Sequence, residues 1–399
     1  MTMKRLSFIT ILFLVSLLGV QAQEGLVKVH ESCGPYLQNV TSTSFTVIWT
    51  TDMDAVSWVE IAPDDGTNWN NCERKKFYDE RGLGRRPITK VHHVTVDGLQ
   101  PDTKYRYRIM MEGVTAQYDR AGVIFTPGYG LDVKSHPTWC KTLAEDYDKL
   151  HFGMVNDMHE SDSLFRMLMS DVIEQKYDFV VFNGDMTSAI DHEEDIPKHY
   201  MSSASELFGY CTPIMITRGN HEFRGNDALK WNDYHSNPGG MPYFTHKYGK
   251  FFFIFLDSGE DKYDGDIRNL GVIMTDKYTD KEAEWLKGVL ESKDFKESEV
   301  RIVFSHIQPD PKSWFGNRVV AEKFVPMLNE AGIDLMLCGH IHQYKYYEPG
   351  TTNAKFPVVC NKNRELMITD VDNSKIKLTF FNENHVLQRK LEFKVGQYR

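Results

Sequence analysis

Five apolar, strand-like runs in this chain each break off at a carboxylate, an amide or an imidazole. That recurrence constrains the fold more than any other feature of the sequence. Met154-Val155-Asn156 leads to Asp157-Met158-His159, and Val181-Phe182-Asn183 leads to Gly184-Asp185. Ile216-Thr217-Arg218 leads to Gly219-Asn220-His221-Glu222, and Val303-Phe304-Ser305 leads to His306. Leu335-Met336-Leu337-Cys338 leads to Gly339-His340-Ile341-His342. In open α/β sheets, ligands gather outside the carboxyl ends of the strands. Groups scattered over 186 positions, Asp157 to His342, are therefore expected on a single rim. Any one of these pieces is ordinary as a turn or a cap; all five in this order at strand ends are not.

The set offers two carboxylates, one amide oxygen and four imidazoles, with one further histidine. A mixed nitrogen and oxygen shell suits divalent transition metals such as Mn, Fe or Zn, whereas Mg or Ca would favour nearly all oxygen. Seven side chains are too many for one tetrahedral ion with an open position. They fit two ions when one carboxylate bridges, the arrangement that clamps the attacking and leaving oxygens of a phosphoryl displacement with ions about 3.5–4 Å apart. Charge agrees. With 46 Lys and Arg against 56 Asp and Glu the net charge is -10. Such a chain has no general attraction for nucleic acid or an anionic membrane. A phosphate substrate would need local cations to offset that field.

The first residues read as an address. Lys4-Arg5 precede the apolar run Leu6 to Val20, and Gln21-Ala22-Gln23 close it, the pattern of a signal peptide over residues 1–22. The run is too short for a membrane anchor, and nothing later is long and apolar enough to span a bilayer. The expectation is an exported protein, periplasmic or secreted. Six cysteines follow, at 33, 72, 140, 211, 338 and 360; they allow 15 pairings that sequence does not resolve, and Cys338 reads as a buried thiol. Oligomeric state is not legible.

Two grammars divide the rest. Residues 23–128 read as short alternating strands, for example Ser44 to Thr50 and Val56 to Ile61, separated by turn residues, which predicts an all-β sandwich. A Gly- and Pro-punctuated linker is expected over 129–148. From 149 to 399 apolar strands alternate with helical periodicity, predicting an α/β (α+β) two-sheet sandwich flanked by helices. One helix is expected to start at Thr279-x-x-Glu282, which has the form of a capping box. Phe251 to Leu256 reads as a core strand, and Trp285 as a helix-packing residue.

The order Asp-x-His, Gly-Asp, Gly-Asn-His-Glu, His, Gly-His-x-His resembles that of the calcineurin-like metallophosphoesterase superfamily, over roughly Lys149 to Arg399. The resemblance implies a binuclear phosphoesterase acting on a phosphate-ester substrate. Asp157, His159, Asp185 and His342 would hold one ion; Asp185, Asn220, His306 and His340 would hold the other, with Asp185 bridging. It implies a shared hydroxide as nucleophile and a non-ligand role for His221, contacting the phosphoryl group and helping to protonate the departing oxygen. Arg218 resembles the arginine before the same motif in Ser/Thr protein phosphatases. That makes it a candidate for phosphate binding, the alternative being an ion pair with Glu222 or contacts to helix-end carbonyls. Gly98-Leu99-x-Pro101-x-Thr103-x-Tyr105-x-Tyr107 resembles a fibronectin type III domain, and a front domain of this kind is similar to that of the purple acid phosphatases. Two departures stand out. The position of their iron-binding tyrosine holds Ser188, and His159 stands where their first motif lacks a histidine. His159 can fill the coordination place the tyrosine vacates, so no tyrosinate absorption is expected.

Monoester hydrolysis competes with phosphodiesterase or nucleotidase activity, a choice left to the loops 187–207, 224–241 and 308–318. A rival of another class is a non-catalytic glycan- or protein-binding protein; the completeness of the ligand set speaks against it. His151, His192, His199 and His235 read as surface or core residues.

Overall fold

The computed structural model describes residues 27–119 and 122–399, so the leader expected over 1–22 lies outside the described residues. The front region is organised by one long strand, Phe45–Pro63. Its first half pairs with Glu31–Gln38 and with Thr89–Val96; its second half pairs with Lys75–Tyr78 and Lys104–Tyr118. The register with Thr89–Val96 breaks between Thr50 and Ala55. Inward-facing Val47, Trp49, Val59, Ile61, Val94 and Ile109 fill the space between. The corner expected from the tyrosine pattern is formed: the Tyr105 hydroxyl accepts the Gln100 N–H at 3.1 Å. The all-β front domain is thus as expected.

The stretch 129–148 is more than a linker. Tyr129–Gly130 and Thr138–Lys141 both pair with Lys104–Tyr118, and the Leu143 N–H donates to the Thr41 carbonyl at 2.9 Å. Thr138 and Cys140 point inward, so this short alternation belongs to the sandwich despite the neighbouring Pro137.

Beyond it lie two six-stranded sheets. In the first, Lys149–Val155, Phe179–Asn183 and Ile214–Thr217 run parallel, and Glu365–Asp372, Lys375–Asn382 and Leu387–Lys394 continue it antiparallel. In the second, Phe251–Leu256, Val300–Ser305, Leu335–Cys338 and Val358–Cys360 run parallel, edged by antiparallel Phe244–Tyr248 and Lys345–Tyr347. The sheets meet through rings. Phe152 lies 5.8 Å from Phe253 and 6.0 Å from Phe304, and Phe179 lies 5.4 Å from Phe253, all near edge-to-face. Each such buried ring contributes roughly 1.5–3 kcal/mol relative to exposure, so the two strand sets are locked in one orientation. Helices cover both outer faces: Asp162–Leu168 buries Leu164, Phe165 and Leu168 on the first, and Val325–Ala331 buries Val325 and Leu328 on the second. The latter helix ends at Gly332 in the left-handed region, as Gly at that position predicts.

One helix begins earlier than expected. It spans Thr275–Glu291, and Thr279 lies inside it, its hydroxyl donating to the Thr275 carbonyl at 2.9 Å. The first turn is capped from a distance, because Asp264 accepts the N–H groups of Thr275 and Asp276. Glu282 instead turns to the sheet and accepts the Asp257 N–H at 2.8 Å.

The front domain is bonded to the rest by side chains that reach main chain. Tyr36 and Tyr107 donate to the carbonyls of Tyr234 and Tyr210, at 2.7 and 2.8 Å, and His93 Nε2 donates to that of Asp233 at 2.7 Å.

Candidate metal centre

Five of the parallel strands end on one rim: Asp157, Asp185 and His340 lie two residues past their strands, His306 one and Asn220 three. Asparagines tie these ends together. The Asn183 amide donates to the carbonyls of Ser305 and Leu337 and accepts from the Thr217 hydroxyl, joining four strands. The Asn156 amide donates to Asp157 Oδ2 at 2.6 Å and is itself bonded to Asn361. The turns that follow are tight. Asp157, His159, Asp185, His340 and His342 all have positive φ, between 45° and 72°. Non-glycine residues in this region are costly and cluster at functional sites. Two motif glycines are there for space: a Cβ on Gly219 would lie 2.2 Å from Asp185 Oδ1, and one on Gly184 would lie 2.5 Å from the His306 ring.

Three groups of side chains result, each with ligand atoms within 4.8 Å of one another: Asp157, His159 and His342; His159, Asp185 and His221; Asp185, His306 and His340. The first and third coincide with the two halves expected from sequence, apart from the bridging Asp185 in the first and Asn220 in the second. His306 Nδ1–H donates to the Asn183 carbonyl at 2.7 Å, which aims Nε2 at Asp185 Oδ2, 3.1 Å away. His342 Nε2 lies 3.2 Å from Asp157 Oδ1 and 3.1 Å from His159 Nε2. Asp157 Oδ1, Asn220 Oδ1 and His306 Nε2 are buried without a hydrogen-bond partner. Other buried atoms, such as Trp49 Nε1 and Tyr248 Oη, also lack a partner; these three stand out because they are metal-ligand types on residues at the strand ends, where the His and Asp groups gather.

The buried carboxylates make the rim attractive to positive charge. Burial opposes charge on His306, but Asp185 and Asp157 outweigh it and push the imidazole up to about 10. Asp185 is itself buried, and the His306 and His221 imidazoles with the His221 N–H hold it far below the usual carboxylate range. Burial, aided by His306, lowers His340 to about 4, keeping it neutral and able to coordinate. Glu222 fixes the turn beneath: its carboxylate accepts the N–H groups of Asp185, Thr187 and Gly219 at 2.7–3.0 Å.

A family model for the calcineurin-like phosphoesterases matches residues 150–344, and one for the purple acid phosphatase N-terminal domain matches residues 33–120. This chain carries a calcineurin-like phosphoesterase domain. The chain is 23% identical over 271 residues to purple acid phosphatase 21 of Arabidopsis thaliana, covering 65% of the chain and 54% of that protein. Against purple acid phosphatase 18 of the same plant it is 23% identical over 276 residues, covering 64% of the chain and 53% of that protein. The chain thus spans about half the length of the curated relatives it matches. Among solved structures, the purple acid phosphatase PPD1 of yellow lupin superposes with a TM-score of 0.64 over 90% of this chain and 73% of its own, at 16% identity. That likeness establishes the two-module architecture.

Within this phosphoesterase domain, six of the seven residues expected as ligands fall into the three ligand groups, and Asn220, the seventh, is buried at the end of its strand. His159 is in the ligand cluster, while Ser188 offers only main chain, its carbonyl accepting His221 Nδ1–H at 2.7 Å. Arg218 does not reach the rim. It is buried against Asp257 through two hydrogen bonds of 2.9 and 2.6 Å, with its guanidinium 3.7 Å above the Phe223 ring. The expected pairing with Glu222 is not formed either, since Glu222 is occupied by main-chain donors.

The cation at the rim is Arg224, which sequence reasoning passed over. Its Nη1 lies 2.9 Å from His221 Nε2, and Glu260 and Asp261 hold the other guanidinium nitrogens at 2.7–3.0 Å. A signal existed. His221–Phe223 is a 3₁₀ turn, and three residues per turn place positions i and i+3 on one side. His151, His199 and His235 pack elsewhere, against Asp370, Asp162 and Tyr200.

Proposed function

We propose that this chain is an exported binuclear metallophosphoesterase that hydrolyses phosphate esters. The observation that carries the reading is the gathering of Asp157, His159, Asp185, His306, His340 and His342 in groups whose ligand atoms lie within 4.8 Å of one another. Asp157, His159, Asp185 and His342 would hold one divalent transition-metal ion; Asp185, Asn220, His306 and His340 would hold the other. Bound there, such a pair activates water for attack at phosphorus and neutralises the charge that develops on the phosphoryl oxygens.

The chain's own residues complete the site. Arg224 is the local cation that a net charge of -10 demands. Glu260 and Asp261 occupy its Nε and Nη2 and hold it in place, which leaves Nη1, 2.9 Å from His221 Nε2, as the donor for a phosphoryl oxygen. His221 Nδ1–H is committed to the Ser188 carbonyl, so Nε2, which faces Arg224 Nη1 at 2.9 Å, is the atom that would exchange a proton with the departing oxygen once a phosphoryl group takes over the Arg224 donor. Asn156, Asn183 and Glu222 orient the ligands rather than touch substrate. The signal-like segment at residues 1–22 supports export, and no described helix is long and apolar enough to cross a membrane.

The test is hydrolysis of p-nitrophenyl phosphate and bis-p-nitrophenyl phosphate by purified protein, before and after chelation and with Mn, Fe or Zn restored. Metal-dependent turnover supports the proposal, and the preferred ester separates a monoesterase from a phosphodiesterase. Full activity after exhaustive chelation would contradict it.

A further inference from the structure

We propose that Trp314 is a stacking platform for a planar ring on the leaving group, so that the preferred substrates are nucleoside phosphates; this rests on the phosphoesterase reading above. Trp314 is 67% exposed, which alone says little, because single exposed apolar residues are common. Its position and its support set it apart. The ring lies 6.3 Å from that of His340, nearly perpendicular to it, and so borders one half of the ligand cluster.

The loop beneath is built, not loose. Asp310 accepts the N–H groups of Lys312 and Ser313, its own N–H donates to the Asn317 carbonyl, and the buried Asn317 amide donates to the Gln308 carbonyl at 2.8 Å. Gly316 is packed so closely that a Cβ there would lie 2.8 Å from Ile307 Cδ1. A rigid loop thus presents a large aromatic face to solvent beside the site.

The decisive link is Asp261. Its carboxylate accepts Arg224 Nη2 at 3.0 Å, and its carbonyl accepts the Gly316 N–H at 3.1 Å. One residue thereby ties the guanidinium and the indole loop into a single wall. A guanidinium recognises phosphoryl oxygens, and an exposed indole recognises a base by its π-face whatever the sequence of ring atoms. A phosphoryl group joined through a short polar linker to a planar ring presents those features in that order; an aliphatic phosphate ester presents only the first. Tyr263, 54% exposed and 6.5 Å from Phe315, extends the same wall.

The experiment compares kcat/KM for adenosine 5′-monophosphate and glycerol 2-phosphate in the wild type, Trp314→Ala and Trp314→Phe. The ratio of the two should fall about tenfold in Trp314→Ala, through KM, and be largely restored in Trp314→Phe. An unchanged ratio would overturn the platform. A second readout needs neither metal nor turnover: adenosine should quench tryptophan fluorescence of the metal-free wild type, and that quenching should vanish in Trp314→Phe. Quenching that persists in Trp314→Phe would also overturn the proposal. If no ester of any kind is hydrolysed, the phosphoesterase reading fails while the adenosine titration still decides the role of Trp314.

Discussion

The two halves of the ligand cluster differ in burial, and the contrast shows how the site is assembled. Around His306, with Asp185 and Asn220, the side chains are sealed: His306 exposes nothing and Asp185 2%. Around His342, whose side chain is 47% exposed, the cluster opens to solvent, with His159 and His221 alongside. The closed half is oriented from behind, by the Asn183 carbonyl on His306 Nδ1 and by Glu222 under the Asp185 turn. The open half is held mainly by imidazoles facing one another, His159 against His342 and His221. A closed, supported half suits tight, slowly exchanging metal, and an open half suits entry of substrate and exchange of ion.

Asp185 is the proposed bridge between the halves, so replacing it should erase the contrast. Asp185→Asn is expected to lose both ions and reduce turnover to the uncatalysed background, as read by metal analysis beside a phosphatase assay. Retention of one tightly held ion would show that the halves are independent and that Asp185 does not bridge.

His221 tests the open half without dismantling it. His221→Ala should keep both ions while kcat drops by about 10²–10⁴. Loss of metal in this variant would make His221 a ligand and redraw the boundary between the halves.

The contrast itself is measured by matched variants. His342→Ala should bind its ion weakly and regain activity when metal is added in excess, whereas His306→Ala should stay inactive at any metal concentration tested, because its ion loses a buried, pre-oriented ligand. Equal rescue of the two would abolish the distinction drawn from burial.

The smallest effect concerns the joint with the front domain. Burial lowers His93 to about 4 and His92 to about 3, well under the ordinary 6.5. The unfolded chain therefore binds more protons than the folded one once pH falls below about 6.5, so stability is lost as pH drops from there toward 4. Thermal unfolding followed over that range should show a falling midpoint, and His93→Gln should flatten the slope by on the order of a few kcal/mol across it. A midpoint independent of pH would mean these imidazoles are already solvated.

Much of this site was legible because each ligand directly follows a strand whose apolar run is unmistakable, and strand ends in such sheets face one rim. Phe251 to Leu256 and the strand ending at Asn183 needed nothing beyond their own residues. The arginines were not legible. Arg218 and Arg224 lie six positions apart, and which one faces the rim depends on Asp257, Glu260 and Asp261, carboxylates brought in by the loop after another strand. The helix start was misplaced for the same kind of reason, since its cap, Asp264, lies eleven residues before Thr275 rather than beside it. Short strands such as Thr138–Lys141 escaped because their partners lie more than thirty residues away, as Thr138 with Tyr107 shows.

Metal stoichiometry is the most direct measurement. Element-specific anomalous scattering from crystals of the purified protein should reveal two ions per chain, one among Asp157, His159 and His342, the other among Asn220, His306 and His340, with Asp185 between them. Crystals soaked in Mn, Fe or Zn that show no ion at this rim, or only one remote from Asp185, would contradict the account.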